Sequence, residues 1–397
     1  MQQWWWRTLG DVVAELQRAQ IATCVLDAAA LVVQGVALPT PPISLAIQWD
    51  QHADAHQMYA PNAPIDDRGR WRTFAFIRNE IPISIACQRN SVIAADPERI
   101  AVVHDGQTIW VKTLHAISRE WGANDPRSAA ITARLREIQA EINAINAAAW
   151  NHDVYAATVQ RHGTPAELAA YLAADPALRL AALERYFHNR LNESLFHNQK
   201  IINLLGSYGG KAVALALLGA SVSLVDVAAD NIRYARQLAA AAGVALHTVV
   251  ADVLDLPPSE MSGDYDLVLM ELGILHYFVD LAPLADVVLR LLKVGGRLIL
   301  QDFHPVSTKL ITSSGRKHKA TGNYFDPTIH EVAVAYAKNA PSGNAPPRVL
   351  QRRWTLGETV TAFAEAGLHI TSLTEEPNTK LDDVGLPKTW TLVARKE

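Results

Sequence analysis

Gly206, Gly209 and Gly210 follow an apolar run, Ile201 to Leu205, and Asp226 closes the next such run, Ala220 to Val225. Residues of these types in this order do nucleotide-cofactor chemistry. Glycines let a backbone pass close to a ligand without Cβ clashes, and a carboxylate about 20 residues beyond the first glycine suits the two hydroxyls of an adenosine ribose. Further acids and histidines mark later strand ends: Asp252 after Val244 to Val250, Glu271 and His276 in Gly263 to Phe278, and Asp302 and His304 after Arg297 to Phe303. In open α/β sheets ligands sit beyond the carboxyl ends of strands, so Glu271, His276, Tyr277, Asp302 and His304 are the candidates to take a proton from a reacting group. Asp302 and His304 are only two potential metal ligands with no third nearby, which makes a metal centre a poor reading.

The elements that would position these groups run in a consistent order. A strand leads into the glycine turn, then a short Ala/Leu helix, the strand ending at Asp226, the strand before Asp252, the strand carrying Glu271, the amphipathic helix Leu281 to Lys293 and, after Gly295 and Gly296, the strand Arg297 to Phe303. The end of the chain is regular. Thr355 to Leu368 reads as a helix capped by Thr355 with Glu358 three residues on, and His369 to Thr374 with Thr389 to Ala394 as a closing hairpin.

This stretch, roughly residues 145 to 397, resembles the class I S-adenosylmethionine-dependent methyltransferases. The resemblance implies an α/β fold with a Rossmann-like seven-stranded sheet and a C-terminal antiparallel hairpin. It also implies that the glycine turn faces the methionine part of S-adenosylmethionine, that Asp226 with Val227 holds the ribose, and that Asp252 with Val253 meets the adenine. The family's first strand ends in an acid and its loop runs Gly-x-Gly-x-Gly. Here Asn203 stands for the acid, and Leu205, Ser207 and Gly209 fall on the glycine positions, unless the register slides by one and Gly206 comes first. Leu205, Gly206, Ser207, Gly209, Asp226, Val227, Asp252, Val253 and Glu271 are thus the expected cofactor contacts. Tyr155 and Arg161, in the helical segment Trp150 to Asn189 that precedes the domain, are candidates to meet the methionine carboxylate. His276, His304 and Glu271 are the candidate catalytic groups, and a small molecule is the expected methyl acceptor.

The first third has its own logic. Leu9 to Gln20 reads as an amphipathic helix, Ala22 to Leu26 as a strand, Ala28 to Gln34 as a helix and Ile43 to Trp49 as a strand, with further strands at Trp71 to Ile77, Ile81 to Cys87 and Thr108 to Val111. The pattern resembles an α+β nucleotidyltransferase-like domain, in which Leu26-Asp27-Ala28 would open a helix and a later strand would carry two metal-binding carboxylates. Those positions hold Pro42 and Ser44. Two Mg²⁺ ions need anionic oxygen ligands, so the domain is expected to lack transfer activity. Between the two regions, apolar residues at Ile131, Leu135, Ile138, Ile142 and Ile145 make one face of a connector helix. The expected domains are residues 1–125, a helical connector at 126–150, and 151–397.

Composition narrows the function classes. The chain has 397 residues, 49% of them apolar, which is enough for two cores. A net charge of −4 without a long basic run argues against a nucleic-acid footprint. The two cysteines, Cys24 and Cys87, make no disulfide framework and suit a reducing cytoplasm. Met1 to Leu16, with three tryptophans, does not read as a signal peptide, and the longest apolar stretch, Ala212 to Val225, is too short to span a bilayer. The polar excursion His304 to Glu331 reads as a mobile substrate lid, with Arg316 to Lys319 as its basic tip, and Lys338 to Val349 as a loop outside the site. A nicotinamide-dependent oxidoreductase is the competing reading: the glycine turn and Asp226 allow it, Asp252 and the C-terminal hairpin disfavour it. A non-catalytic ligand-binding or regulatory protein is the third.

Overall fold

The computed structural model describes residues 2–122, 124–187, 196–315, 317–339 and 345–397. The chain divides into two compact units, Met1–Ile138 and Gln139–Glu397, a boundary that falls inside the expected connector helix. Among the described residues no helix is long and apolar enough to cross a membrane.

The first unit opens with α1 (Gln2–Arg18), which begins earlier than its periodicity predicts because Trp5 joins Leu9, Val12, Val13 and Leu16 on the buried face. There follow β1 (Thr23–Leu26), α2 (Asp27–Val33), β2 (Ile43–Ile47), α3 (His52–Tyr59), β3 (Asp66–Asp67), β4 (Trp71–Arg78), β5 (Ile81–Gln88), β6 (Arg99–His104), β7 (Gln107–Lys112) and α4 (Leu114–Trp121). The strands make one mixed sheet in the order β3-β4-β5-β2-β1-β7-β6. β2 alternates as period-2 patterning requires, with Ile43, Leu45 and Ile47 buried and Ser44 and Ala46 on the half-buried side. Ser44 pairs with Leu26 on β1 and Ser84 on β5, and the Ser84 hydroxyl donates to the Ser44 hydroxyl at 3.4 Å. β6 was not legible in advance, since only Ile100 and Val102 of its side chains are apolar and packed.

The connector is α5 (Ser128–Trp150). Ile131 and Leu135 are buried and belong to the core of the first unit, Ile142 is buried, and Ile145 is exposed, so the apolar face is shorter than its spacing suggests.

In the second unit, α6 (Val154–His162), α7 (Pro165–Ala174) and α8 (Pro176–Phe187) precede β8 (Lys200–Leu204), α9 (Gly210–Leu217), β9 (Ser221–Asp226), α10 (Ala229–Ala242), β10 (His247–Val250), β11 (Tyr265–Glu271), α11 (Ala282–Leu291) and β12 (Leu292–Phe303). The expected lid is not one loop. It forms the hairpin β13 (Ile311–Ser314) and β14 (Lys317–Ala320), with Arg316 outside the described residues, then β15 (Ile329–Ala333) paired antiparallel with β16 (Arg348–Arg352). Of the second expected loop, residues 340–344 lie outside the described residues. α12 (Leu356–Glu365) carries the expected cap: Thr355 accepts from the Glu358 amide, and Glu358 closes the box on the Thr355 amide. β17 (Leu368–Pro377) and β18 (Pro387–Lys396) close the chain.

The seven strands of this sheet lie in the order β10-β9-β8-β11-β12-β18-β17. β8 to β12 run parallel, and β18 inserts antiparallel between β12 and β17. The parallel strands read as near-continuous apolar runs because helices cover both faces. The chain winds outward from β8 to β10, then returns to the other side of β8 as β11 and β12. That reversal makes a switch point between β8 and β11, where loops diverge and leave a crevice at the strands' carboxyl ends.

Candidate functional site

A cleft of about 390 Å³ lies at this switch point. Leu205, Ser207, Asp226, Val227, Asp252, Val253, Glu271, Arg161 and His276 all line it, although they come from segments far apart in the chain.

The turn after β8 decides between the two registers. Leu205 (φ +50°), Ser207 (φ +54°) and Gly209 (φ +77°) all adopt the left-handed conformation, and Gly206 does not. The backbone therefore keeps a glycine-type path at Leu205 and Ser207 although both carry a side chain, a conformation costing roughly 1–2 kcal/mol for an L-residue. Gly206 is needed for a different reason: a Cβ there would meet Asn203 Oδ1 and Leu224 Cδ1, each within 2.4 Å. Gly206 and Gly209 shape the turn and do not themselves line the cleft. Asn203 is fully buried beneath the turn, its Nδ2 donating to the Leu269 carbonyl at 3.2 Å, and it too stays outside the cleft.

Asp226 holds the turn from the end of β9. Its Oδ2 accepts from the Ser207 amide at 2.9 Å, and its Oδ1 from the Ala228 amide at 2.9 Å and Asn231 Nδ2 at 3.1 Å. Burial pushes its carboxyl up, against the pull of those three donors. Asp252, one strand further out, accepts from the Leu254 amide at 3.0 Å and from Asn143 Nδ2 on α5.

Glu271, at the end of β11, is buried, and Lys211 Nζ on α9 lies 3.1 Å from its Oε2. This is an ion pair by distance without hydrogen-bond alignment, since that oxygen has no aligned donor. Arg161 at the end of α6 lines the same end of the cleft. Beside it His162 stacks on Tyr208, ring centroids 4.3 Å apart, and burial together with Arg161 and Lys211 lowers its pKa to about 4.

The two candidate histidines part company. His276, on the turn after β11, lines the cleft; its buried Nε2 has no hydrogen-bond partner, and burial, aided by Arg353, brings its pKa down to about 3. His304 lies outside the cleft. Its Nδ1 accepts from the Val306 amide at 3.2 Å and its Nε2 is 2.6 Å from Glu375 Oε1 on β17, so both ring nitrogens serve the fold. The catalytic assignment of His304 is corrected on that ground. Tyr155 is also elsewhere: its hydroxyl donates to Gln237 Oε1 at 2.5 Å and its ring lies under Arg233 on α10. Asp302 reaches into the loop after β11, where its carboxylate accepts from the Gly273 amide at 2.7 Å and the Leu275 amide at 3.1 Å, and it also accepts from the next amide of its own strand, Phe303, at 2.7 Å. Among the described residues no group of three or more His, Cys, Asp and Glu side chains is placed to hold a metal ion.

Lys211, His162 and the α5 residues Asn143, Asn146 and Trp150 also line the cleft and were not anticipated. Asn143 and Asn146 left a signal, two amides three residues apart on an Ala/Ile-rich helix. Lys211 left none, because a lysine opening a helix looks like any solvated charge.

Residues 203–296, within the second unit, match the family model described as "Methyltransferase domain". Solved structures with a similar fold include an S-adenosylmethionine-dependent methyltransferase from Mesorhizobium loti (20% identity, covering 57% of this chain and 100% of that one, TM-score 0.43). Others are an S-adenosylmethionine-dependent methyltransferase from Clostridium acetobutylicum ATCC 824 (13%, 54% and 96%, 0.39) and the PH0226 protein from Pyrococcus horikoshii OT3 (17%, 55% and 90%, 0.39). Similarity this low does not speak to what the chain binds. Among curated proteins nothing matches.

Proposed function

We propose that this chain transfers the methyl group of S-adenosylmethionine to a small-molecule acceptor. The observation that supports the reading most is the cleft itself, in which Asp226 at the end of β9 and Asp252 just beyond β10 share one cavity with the left-handed turn and the Glu271–Lys211 pair. When bound, the cofactor supplies a methyl group already activated by positive sulfur.

The residues fit that group. Asp226 Oδ2 has a single donor among the described residues, the Ser207 amide, which leaves an acceptor site for a ribose hydroxyl. Asp252 offers its carboxylate to an adenine amine, with Val227 and Val253 as apolar walls. With Asn203 beneath the turn, a methionine ammonium has Glu271 as its carboxylate, and a methionine carboxylate has Lys211 and Arg161. The chain's own work is to orient the reactants and exclude water, which is worth several kcal/mol in such reactions. His276, its pKa brought down to about 3, stays a neutral imidazole near neutral pH, and its Nε2 serves to hydrogen-bond and orient the acceptor, not as a general base.

Titration calorimetry with S-adenosylhomocysteine and with a nicotinamide dinucleotide tests this. Binding of the first and not the second is expected; the reverse would replace methyl transfer by oxidoreduction. For the first unit the reading is a nucleotidyltransferase-like domain without transfer chemistry, supported by Pro42 and Ser44 at the start of β2, where Ser44 faces another serine. Incorporation of labelled nucleotide with Mg²⁺ and any ribonucleoside triphosphate would contradict it.

A further inference from the structure

A second pocket, of about 400 Å³, adjoins the cleft and shares two of its walls, His276 and Phe303. Its other walls are built from the end of β16, the start of α12 and β18. Trp354 and Trp390 line it, Trp390 almost fully buried and Trp354 with the Arg352 guanidinium over its ring, and each is fixed by its own N–H: Trp354 Nε1 donates to the Leu275 carbonyl at 3.0 Å and Trp390 Nε1 to the Phe303 carbonyl at 3.2 Å.

Two charged residues line this pocket, Arg353 and Asp302. The Asp302 charge is already taken up by the amides of the loop after β11, so it presents little to a ligand. Arg353 differs. Its Nη1 donates to the Thr308 carbonyl, but no carboxylate lies within ion-pair distance of it among the described residues. Lys309 Nζ donates to the Arg353 carbonyl at 2.6 Å, which fixes the backbone that carries the guanidinium. A half-buried guanidinium without a counter-ion in an aromatic pocket calls for a planar anion, because its fork of N–H donors matches a carboxylate. At the wall common to both cavities, His276 Nε2 is buried and lacks a partner, and a buried polar atom is normally satisfied.

We infer that this pocket binds the methyl acceptor and that the acceptor is a flat aromatic acid, its carboxylate on Arg353, its ring against Trp354, Trp390 and Phe303, and its polar substituent at His276. The word acceptor rests on the methyl-transfer reading; the aromatic-acid site stands on the pocket alone.

Calorimetric titration of the full chain with 2-naphthoate, 2-naphthamide and cyclohexanecarboxylate tests the inference. Naphthoate should bind at least about tenfold more tightly than either of the others, the worth of one charge-assisted hydrogen bond or one aromatic contact. Arg353→Gln should erase the preference for acid over amide, and Arg353→Lys should retain part of it, with thermal unfolding confirming that both variants fold. Equal binding of acid and amide, unchanged affinity in Arg353→Gln, or no binding of any of the three would overturn the inference. S-adenosylhomocysteine titrated separately keeps the two readings apart. If it binds and naphthoate does not, the acceptor site fails and methyl transfer stands; if naphthoate binds in an Arg353-dependent way and it does not, the site stands and methyl transfer falls.

Discussion

Asp226 and Asp302 sit on opposite sides of the switch point and do related work: each closes a parallel strand and reaches across to hold the loop that follows its neighbour. Asp226 on β9 grips the turn after β8 through the Ser207 amide, and Asp302 on β12 grips the loop after β11 through the Gly273 and Leu275 amides. Both loops contain strained non-glycine backbone, at Leu205 and Ser207 in one and at Leu272 (φ +28°) in the other, and in each the carboxylate ties down an amide next to the strained residue or on it. The difference lies in what is left over. A carboxylate has about four acceptor sites. Asp302 accepts from three backbone amides, those of Gly273, Leu275 and Phe303, whereas Asp226 accepts from two, those of Ser207 and Ala228, and from the Asn231 side chain, and it lines the cleft. A strand-end acid is thus spent on the fold or left at a cleft according to how many backbone amides reach it first, and the residue type does not say which.

The largest effect should come from the staple. Asp302→Ala would orphan several buried amides at roughly 1–3 kcal/mol each, and a loss of about 3–5 kcal/mol is expected in urea unfolding. A change below about 1 kcal/mol would mean the loop holds itself. Gly206→Ala comes next. Its Cβ would collide with Asn203 and Leu224, and overpacking of that kind costs about 1–3 kcal/mol or more, so a fully stable variant would show that the turn is looser than drawn.

Asp226→Asn sharpens the comparison directly. It should weaken S-adenosylhomocysteine binding by about 1–3 kcal/mol while leaving a folded protein. If binding is unchanged and only stability falls, Asp226 is a staple like Asp302 and the ribose assignment is withdrawn.

Acid titration probes the histidines of the same crevice. The folded-state pKa values of His162 and His276, about 4 and about 3, lie below the ordinary 6.5. Between those values and 6.5 the unfolded chain binds protons that the folded one does not. Their contribution to stability is therefore present above about pH 6.5 and is lost as pH falls toward 4 and then 3. Asp226 and Asp302, raised by burial, act in the opposite sense. The melting temperature should drop as pH falls from 7 to 5, and less steeply in His162→Gln and His276→Gln; identical slopes in wild type and variants would place the pH dependence elsewhere.

The smallest effect is expected at the strained turn. Ser207→Gly, at φ +54°, should raise stability by about 0.5–1 kcal/mol, since glycine relieves the left-handed strain and gives back part of the gain as chain entropy. Destabilisation would mean that the Ser207 side chain repays its strain.

Much of this protein was legible from its residues alone. The strand, turn and helix order of the second unit, the Thr355 cap, the closing hairpin and the placement of Asp226 and Asp252 beyond their strands follow from local periodicity and capping chemistry, and these interactions span a few residues. The tertiary structure decided what depends on residues far apart in the chain. His276 and His304 look alike in sequence, yet a Glu375 brought in by β17 occupies one and leaves the other facing the cleft. The left-handed backbone at Leu205, Ser207 and Gly209 gives the turn its register, Asn203 and Leu224 crowd Gly206 from distant strands, and Lys211 meets Glu271 because two elements come together across the switch point. Periodicity reports that a face is buried; only packing determines against what, and a site is made of those particular meetings.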